Sequence, residues 1–104
     1  MVDRPRAVVW TRAALECLDE ILATIALEAS PKTAERVLGV FDSTAESLSD
    51  LANRGRMVPE LEQSTIREVF VYRYRLLYQV SSAEVRILAV IPGEMDYHAW
   101  LRKE

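Results

Sequence analysis

Cysteine is nearly absent from this chain: Cys17 is the one example in 104 residues. A lone cysteine closes no internal disulfide, so the fold has to be held by its core, and a reducing compartment, the cytoplasm, is the expected location. Histidine is as scarce, with His98 alone. No Cys/His cluster, glycine-rich phosphate loop or Ser/His/Asp constellation can be assembled, so metal, nucleotide and hydrolase chemistry have no anchor and no cofactor is expected. Three glycines and four prolines leave no linker or low-complexity tract, and no apolar run reaches the roughly 18 residues that span a bilayer. A net charge of -3 gives no general attraction for nucleic acid or anionic membrane, so any such contact has to come from a local basic patch.

What is present is an apolar half, which suits one domain over residues 1–104. Ala7-Val8-Val9-Trp10 reads as a strand, and Thr11 can cap a helix directly after it. Leu15, Leu18, Leu22, Ile25 and Ala29 then recur at spacings of three and four, the stripe of an amphipathic helix. Ser30-Pro31 breaks it and starts a second helix, in which Ala34, Val37, Phe41, Ala45, Leu48 and Leu51 keep one face until about residue 53. Gly55 is expected to close that helix. The period then changes to two, with strands predicted near residues 65–72, 73–80 and 84–91. Pro92-Gly93 ends the last, leaving a tail from Glu94 to Glu104 in which Tyr97, Trp100 and Leu101 would share one side of a short helix. The fold class is α+β: an N-terminal strand and an antiparallel helix hairpin packed on a small antiparallel sheet, in the order β-α-α-β-β-β, with a short C-terminal tail.

The arginines of the strands are the strongest functional signal. An unpaired arginine is too costly to bury, so arginines at alternating strand positions should lie on an open sheet face, within reach of a carboxylate or phosphate. Alternation assigns Tyr74, Leu76, Tyr78, Val80, Val85, Ile87, Ala89 and Ile91 to the helix-packed face. Arg67, Val69, Val71, Arg73, Arg75, Leu77, Gln79, Arg86, Leu88 and Val90 go to the open one. Each arginine taken singly also reads as a solvated surface residue, and Arg56 reads equally as a partner for Glu60 or for helix carboxylates. His98 and Cys17 carry no neighbour in sequence that would activate them. Tyr72, Tyr74 and Tyr78 read as packing residues of the sheet.

Several segments, in order, carry a resemblance. They are Val9-Trp10-Thr11, the Ser30-Pro31-Lys32-Thr33-Ala34 junction, Gly55-Arg56 with Pro59-Glu60, Ile66-Arg67-Glu68, Tyr74-Arg75-Leu76-Leu77-Tyr78 and Val85-Arg86-Ile87-Leu88-Ala89-Val90. Together they resemble the RelE/ParE superfamily of toxins from bacterial type II toxin–antitoxin modules. The Met95-Asp96 pair and the loop from Gly55 to Glu60 look like the ParE branch. That resemblance implies a plasmid-stabilisation toxin that causes growth arrest by binding and inhibiting DNA gyrase, without being an enzyme. It implies a ParD-like antitoxin as partner, DNA contacted only through that antitoxin, and no membrane. The antitoxin- or target-binding residues would be Arg56, Arg67, Val69, Val71, Arg73, Arg75, Leu77, Arg86, Leu88, Met95 and Trp100.

A RelE-like ribosome-dependent messenger RNA endoribonuclease is the alternative, with Arg67 and Arg75 on the scissile phosphate and Tyr97 or His98 near the leaving group. Val69 and the Gly93-Glu94-Met95-Asp96 segment stand where that type carries further basic residues. Arginine supplies charge stabilisation but neither the base nor the acid at neutral pH. A degenerate toxin that retains only antitoxin binding is the third reading.

Overall fold

Thr11 ends the first strand and begins the first helix. In the computed structural model, which describes residues 5–61 and 65–103, β1 (Ala7–Trp10) stops where the Thr11 hydroxyl accepts the amide N–H of Ala14 at 3.2 Å and donates to the Ile87 carbonyl at 2.8 Å. One side chain thus caps α1 (Arg12–Glu28) and ties it to the sheet. Ser30 caps α2 (Pro31–Ser47) by accepting from Thr33 at 3.0 Å, with Pro31 in the first turn, where its missing N–H is no loss. Both caps are as the sequence predicts.

The phase of each helix differs in detail. Ala14 and Leu18 are the buried residues of α1, with Cys17, Ile21, Leu22 and Ile25 packed beside them, while Leu15 is 46% exposed. The small Ala14 is what lets α1 come close to the strand beneath it. In α2 the expected Ala34, Val37, Phe41, Ala45 and Leu48 are buried, but the helix ends at Ser47 rather than near residue 53. Turn geometry replaces the helical period from there, so Ala52 goes inside in place of Leu51.

The rest of the chain supplies β2 (Arg56–Met57), β3 (Ile66–Val71), β4 (Tyr74–Val80) and β5 (Glu84–Pro92), and then α3 (Tyr97–Lys103) from the tail. Glu104 lies outside the described residues. The sheet runs β1-β5-β4-β3-β2. The three predicted strands form its antiparallel centre, β1 joins β5 in parallel, and β2 is an unforeseen two-residue edge strand. The α+β class and the order of elements match the expectation. Among the described residues no helix is long and apolar enough to cross a membrane.

Two register effects overturn the assignment of faces. The loop between β3 and β4 is Tyr72-Arg73 alone, so Val71 pairs with Tyr74, Val69 with Leu76 and Arg67 with Tyr78. Opposed residues share a face, and a two-residue turn therefore joins odd positions of β3 to even positions of β4. Val69 and Val71 are buried under the helices, not displayed on an open face. In β5 a bulge falls between the pairs Leu77–Ala89 and Tyr78–Ile87, so Leu88 is the additional residue. One extra residue inverts all that follows. Val85, Ile87 and Val90 pack with the helices, whereas Ala89 and Ile91 lie on the opposite face with Leu77, Val58, Ile66 and Tyr97. That second face is roofed by residues 58–61 and by α3, so it is a second small core rather than open sheet.

Candidate functional site

Beneath this roof lies a cluster of charges. Glu68 occupies the middle of β3, among Ile66, Val69 and Phe70, and its side chain is 0% exposed. Arg75, on the neighbouring strand, is also sealed, with 6% of its side chain exposed. The Arg75 Nε donates to Glu68 Oε1 at 2.6 Å, and Nη1 and Nη2 donate to the two carboxylate oxygens of Glu60 at 2.8 Å each. Nη1 also donates to the Met95 carbonyl at 2.7 Å. The second oxygen of Glu68 accepts from Arg56 Nε at 2.6 Å, and Glu60 Oε2 accepts the Tyr97 amide at 2.8 Å. Two arginines and two carboxylates thus bind β2, β3, β4, the loop at residue 60 and the start of α3 to one another. Arginine's planar fork suits this role because it meets both oxygens of one carboxylate while its Nε meets another.

The predicted site residues divide into several groups. Arg56, Arg75, Met95, Tyr97 and His98 gather at the charge cluster, with the exposed His98 Nε2 3.3 Å from the Glu60 carbonyl oxygen. Trp100 stacks on Tyr97 with ring centroids 5.7 Å apart, and with Met95 and Ile91 it lines a groove of about 490 Å³ beside Cys17 and Ile21 of α1. The predicted common side of the tail holds for Tyr97 and Trp100, while Leu101 remains exposed. Leu77 and Leu88 belong to the second core. Arg67 lies on the other face, where its Nη1 donates to the Gly55 carbonyl at 2.8 Å. Arg73 is exposed at the hairpin tip, and Arg86, exposed near the opposite end of the sheet, pairs with Glu84 at 2.9 Å. The expected single face of arginines therefore does not exist: one is buried by pairing, one clamps a turn, and two stand apart. Burial likewise takes the side chains of Val69, Val71 and Leu77 off the surface.

Glu68 is the residue that the sequence reading missed, and Glu60, read there as a partner for Arg56, is held by Arg75 instead. A signal for Glu68 was there, since a carboxylate in the run Ile66–Val71 needs a buried cation opposite it. Tyr78 was assigned to packing, and it also bonds: its hydroxyl accepts the Gly55 amide at 2.9 Å and donates to the Ala52 carbonyl at 2.8 Å.

Two arginines balance two carboxylates in the cluster. Hydrogen bonding to Arg75 is the main reason that the Glu60 carboxyl is held at about 2, against an ordinary 4.5. Arg75 in turn is raised, first by its bonds to Glu60. Burial pushes the Tyr97 phenol up, which keeps it protonated at neutral pH. A lowered carboxyl stabilises the fold above its unfolded value and loses that contribution as pH falls from about 4.5 towards 2. With solvent screening at the rim, Glu60 should account for about 1–2 kcal/mol of the acid loss. Urea titrations between pH 7 and pH 2.5 should show Glu60→Gln less stable at neutral pH and flatter on the acid side. A parallel shift of the whole curve would mean that Glu60 does not carry the acid sensitivity.

Four hydrogen bonds occupy the Arg75 guanidinium. A phosphate could reach it only by displacing a bidentate carboxylate. Among the described residues, no group of three His, Cys, Asp or Glu side chains is placed to hold a metal. Residues 8–97 match a family model described as the ParE toxin of the type II toxin–antitoxin system, parDE. The chain belongs to the ParE toxin family. This ParE-family fold is similar to a chain of the chromosomal ParDE TA system from P. aeruginosa, with a TM-score of 0.73 and 23% identity over 86% of this chain and 97% of that one. It is also similar to a chain of the RelBE2 toxin–antitoxin complex from Mycobacterium tuberculosis, with a TM-score of 0.56 and 21% identity over 88% and 95%. A search of curated proteins gives no match. As a ParE-family member the chain is a toxin of the type II toxin–antitoxin class.

Proposed function

We propose that this toxin arrests growth by binding and inhibiting DNA gyrase, that a ParD-like antitoxin neutralises it, and that it reaches DNA only through that antitoxin, as in plasmid-stabilisation modules. The observation that carries the reading is the ParE family match over residues 8–97. The neutralised Arg75 supports a non-enzymatic mode of action, because the strand arginine best placed to steady a phosphodiester transition state is already held by Glu60 and Glu68. The residues of the ribonuclease alternative also divide, with Arg75, Tyr97 and His98 at the charge cluster and Arg67 on the opposite face. An antitoxin as partner fits the two toxin–antitoxin systems whose chains share this fold.

Purified toxin is expected to inhibit gyrase supercoiling or to raise the yield of cleavage complexes, and to leave ribosome-bound messenger RNA intact. Codon-specific cleavage in the ribosome assay would reverse this ranking. Silence in both assays, with no growth arrest on expression, would instead identify a degenerate toxin that keeps only its antitoxin.

A further inference from the structure

The charge cluster has one open end. Arg56 is 61% exposed although its Nε is fixed on the buried Glu68 carboxylate, and its guanidinium carbon stands 5.6 Å from the centroid of the Phe70 ring. Its Nη1 and Nη2 have no protein partner among the described residues. Phe70 is itself 51% exposed and Tyr72, at the hairpin tip, 59%. Tyr72 has a φ of 55°, a left-handed conformation that an aromatic side chain rarely adopts. The two-residue turn between Val71 and Tyr74 imposes that conformation, and it holds the ring out at the hairpin tip. The short β2 pairs only with Arg67 and Glu68, so among the described residues Val69, Phe70 and Val71 have no strand neighbour on their outer edge. Arg73 adds a second cation at the far end of that edge.

A fixed arginine, an exposed aromatic pair and a free strand edge, with cations at both ends, define the complement. We propose that Arg56, Phe70 and Tyr72 receive an acidic, extended segment of the antitoxin, which lies along the outer edge of β3. One carboxylate meets Nη1 and Nη2 of Arg56, a neighbouring apolar side chain covers Phe70 and Tyr72, and a second carboxylate meets Arg73. Glu68 acts as a positioning residue, because it holds Arg56 in place before the partner arrives and so reduces the entropy lost on binding. The inference rests on the reading that an antitoxin binds this chain.

The test uses the full-length product of the small reading frame adjacent to the toxin gene, titrated calorimetrically against the parent chain and Phe70→Ala, Arg56→Gln, Arg56→Lys and Arg86→Gln. Phe70→Ala and Arg56→Gln should each weaken binding about tenfold or more, while Arg86→Gln stays within about threefold. Arg56→Lys should fall between, because it keeps the charge and loses the fork. The parent affinity should drop with added salt, and Arg56→Gln should flatten that slope, a change that mere loss of folded protein would not produce. Parent binding with all four variants within threefold would overturn the surface. Unchanged antitoxin affinity with lost gyrase inhibition would overturn it too, and give the edge to the target. No binding by the parent chain would defeat the antitoxin reading itself.

Discussion

Arg75→Ala should lower the stability of the toxin by about 3–5 kcal/mol, a large share of the 5–15 kcal/mol typical of a domain. The cost comes less from the lost attraction than from what remains. Glu68, with no exposed side-chain surface, would be left with only the rim residue Arg56, and Glu60 would lose both of its guanidinium bonds. Removing one partner strands a charge in a place where water cannot reach it. The paired change Arg75→Met with Glu68→Gln should therefore cost less than Arg75→Ala alone, because it takes away both charges. Urea midpoints for the three proteins decide the matter, and a loss below about 1 kcal/mol for Arg75→Ala would show that the cluster is not a tie. A practical rule follows for toxicity assays. Loss of activity in an Arg75 variant says nothing of catalysis until its folding has been measured.

Gly55→Ala is the second large effect expected, at about 2–3 kcal/mol. The backbone at Gly55 does not have a positive φ, so conformational freedom is not the issue. Space is. A Cβ there would stand 2.5 Å from the Glu68 carbonyl oxygen and 2.5 Å from the Tyr78 hydroxyl. The first atom belongs to a paired strand and the second is held by Gly55 and Ala52, so neither can yield without breaking bonds. Adding Tyr78→Phe should recover part of the loss by removing one of the two obstacles, although it leaves the Ala52 carbonyl without its donor. Thermal melts of the single and double variants give the comparison, and a Gly55→Ala protein as stable as its parent would refute the close approach.

Local signals in the chain carried the elements well. Thr11 and Ser30-Pro31 cap helices because the groups that satisfy them are three residues away. The three central strands followed from a period of two. What failed was long-range: Tyr72-Arg73 and the Leu88 bulge each shift parity by one, and neither carries a glycine or asparagine to announce it. The parity shift puts Val69 and Val71 under the helices, whereas Arg75 keeps its expected face and is buried because residues 58–61 and α3 roof it. Its burial could not be inferred from arginine alone, because the deciding facts are two carboxylates at positions 60 and 68 that come together only after the sheet forms. The end of α2 was misjudged for a related reason, since an apolar residue at 48 continues the helical phase whether it caps or extends.

The parallel pairing of β1 with β5 has a consequence for synthesis. Thr11 and Ile87, joined through a side-chain hydrogen bond, are 76 residues apart in the chain. While the polypeptide is still being made, β1 has no strand to join, and α1 has no β5 to pack on, until β5 emerges. Pairing at such separation is slow to form, and the apolar faces of the helix hairpin stay uncovered in the meantime. A nascent toxin is thus exposed to capture by other chains from the time its helices form until β5 has been made.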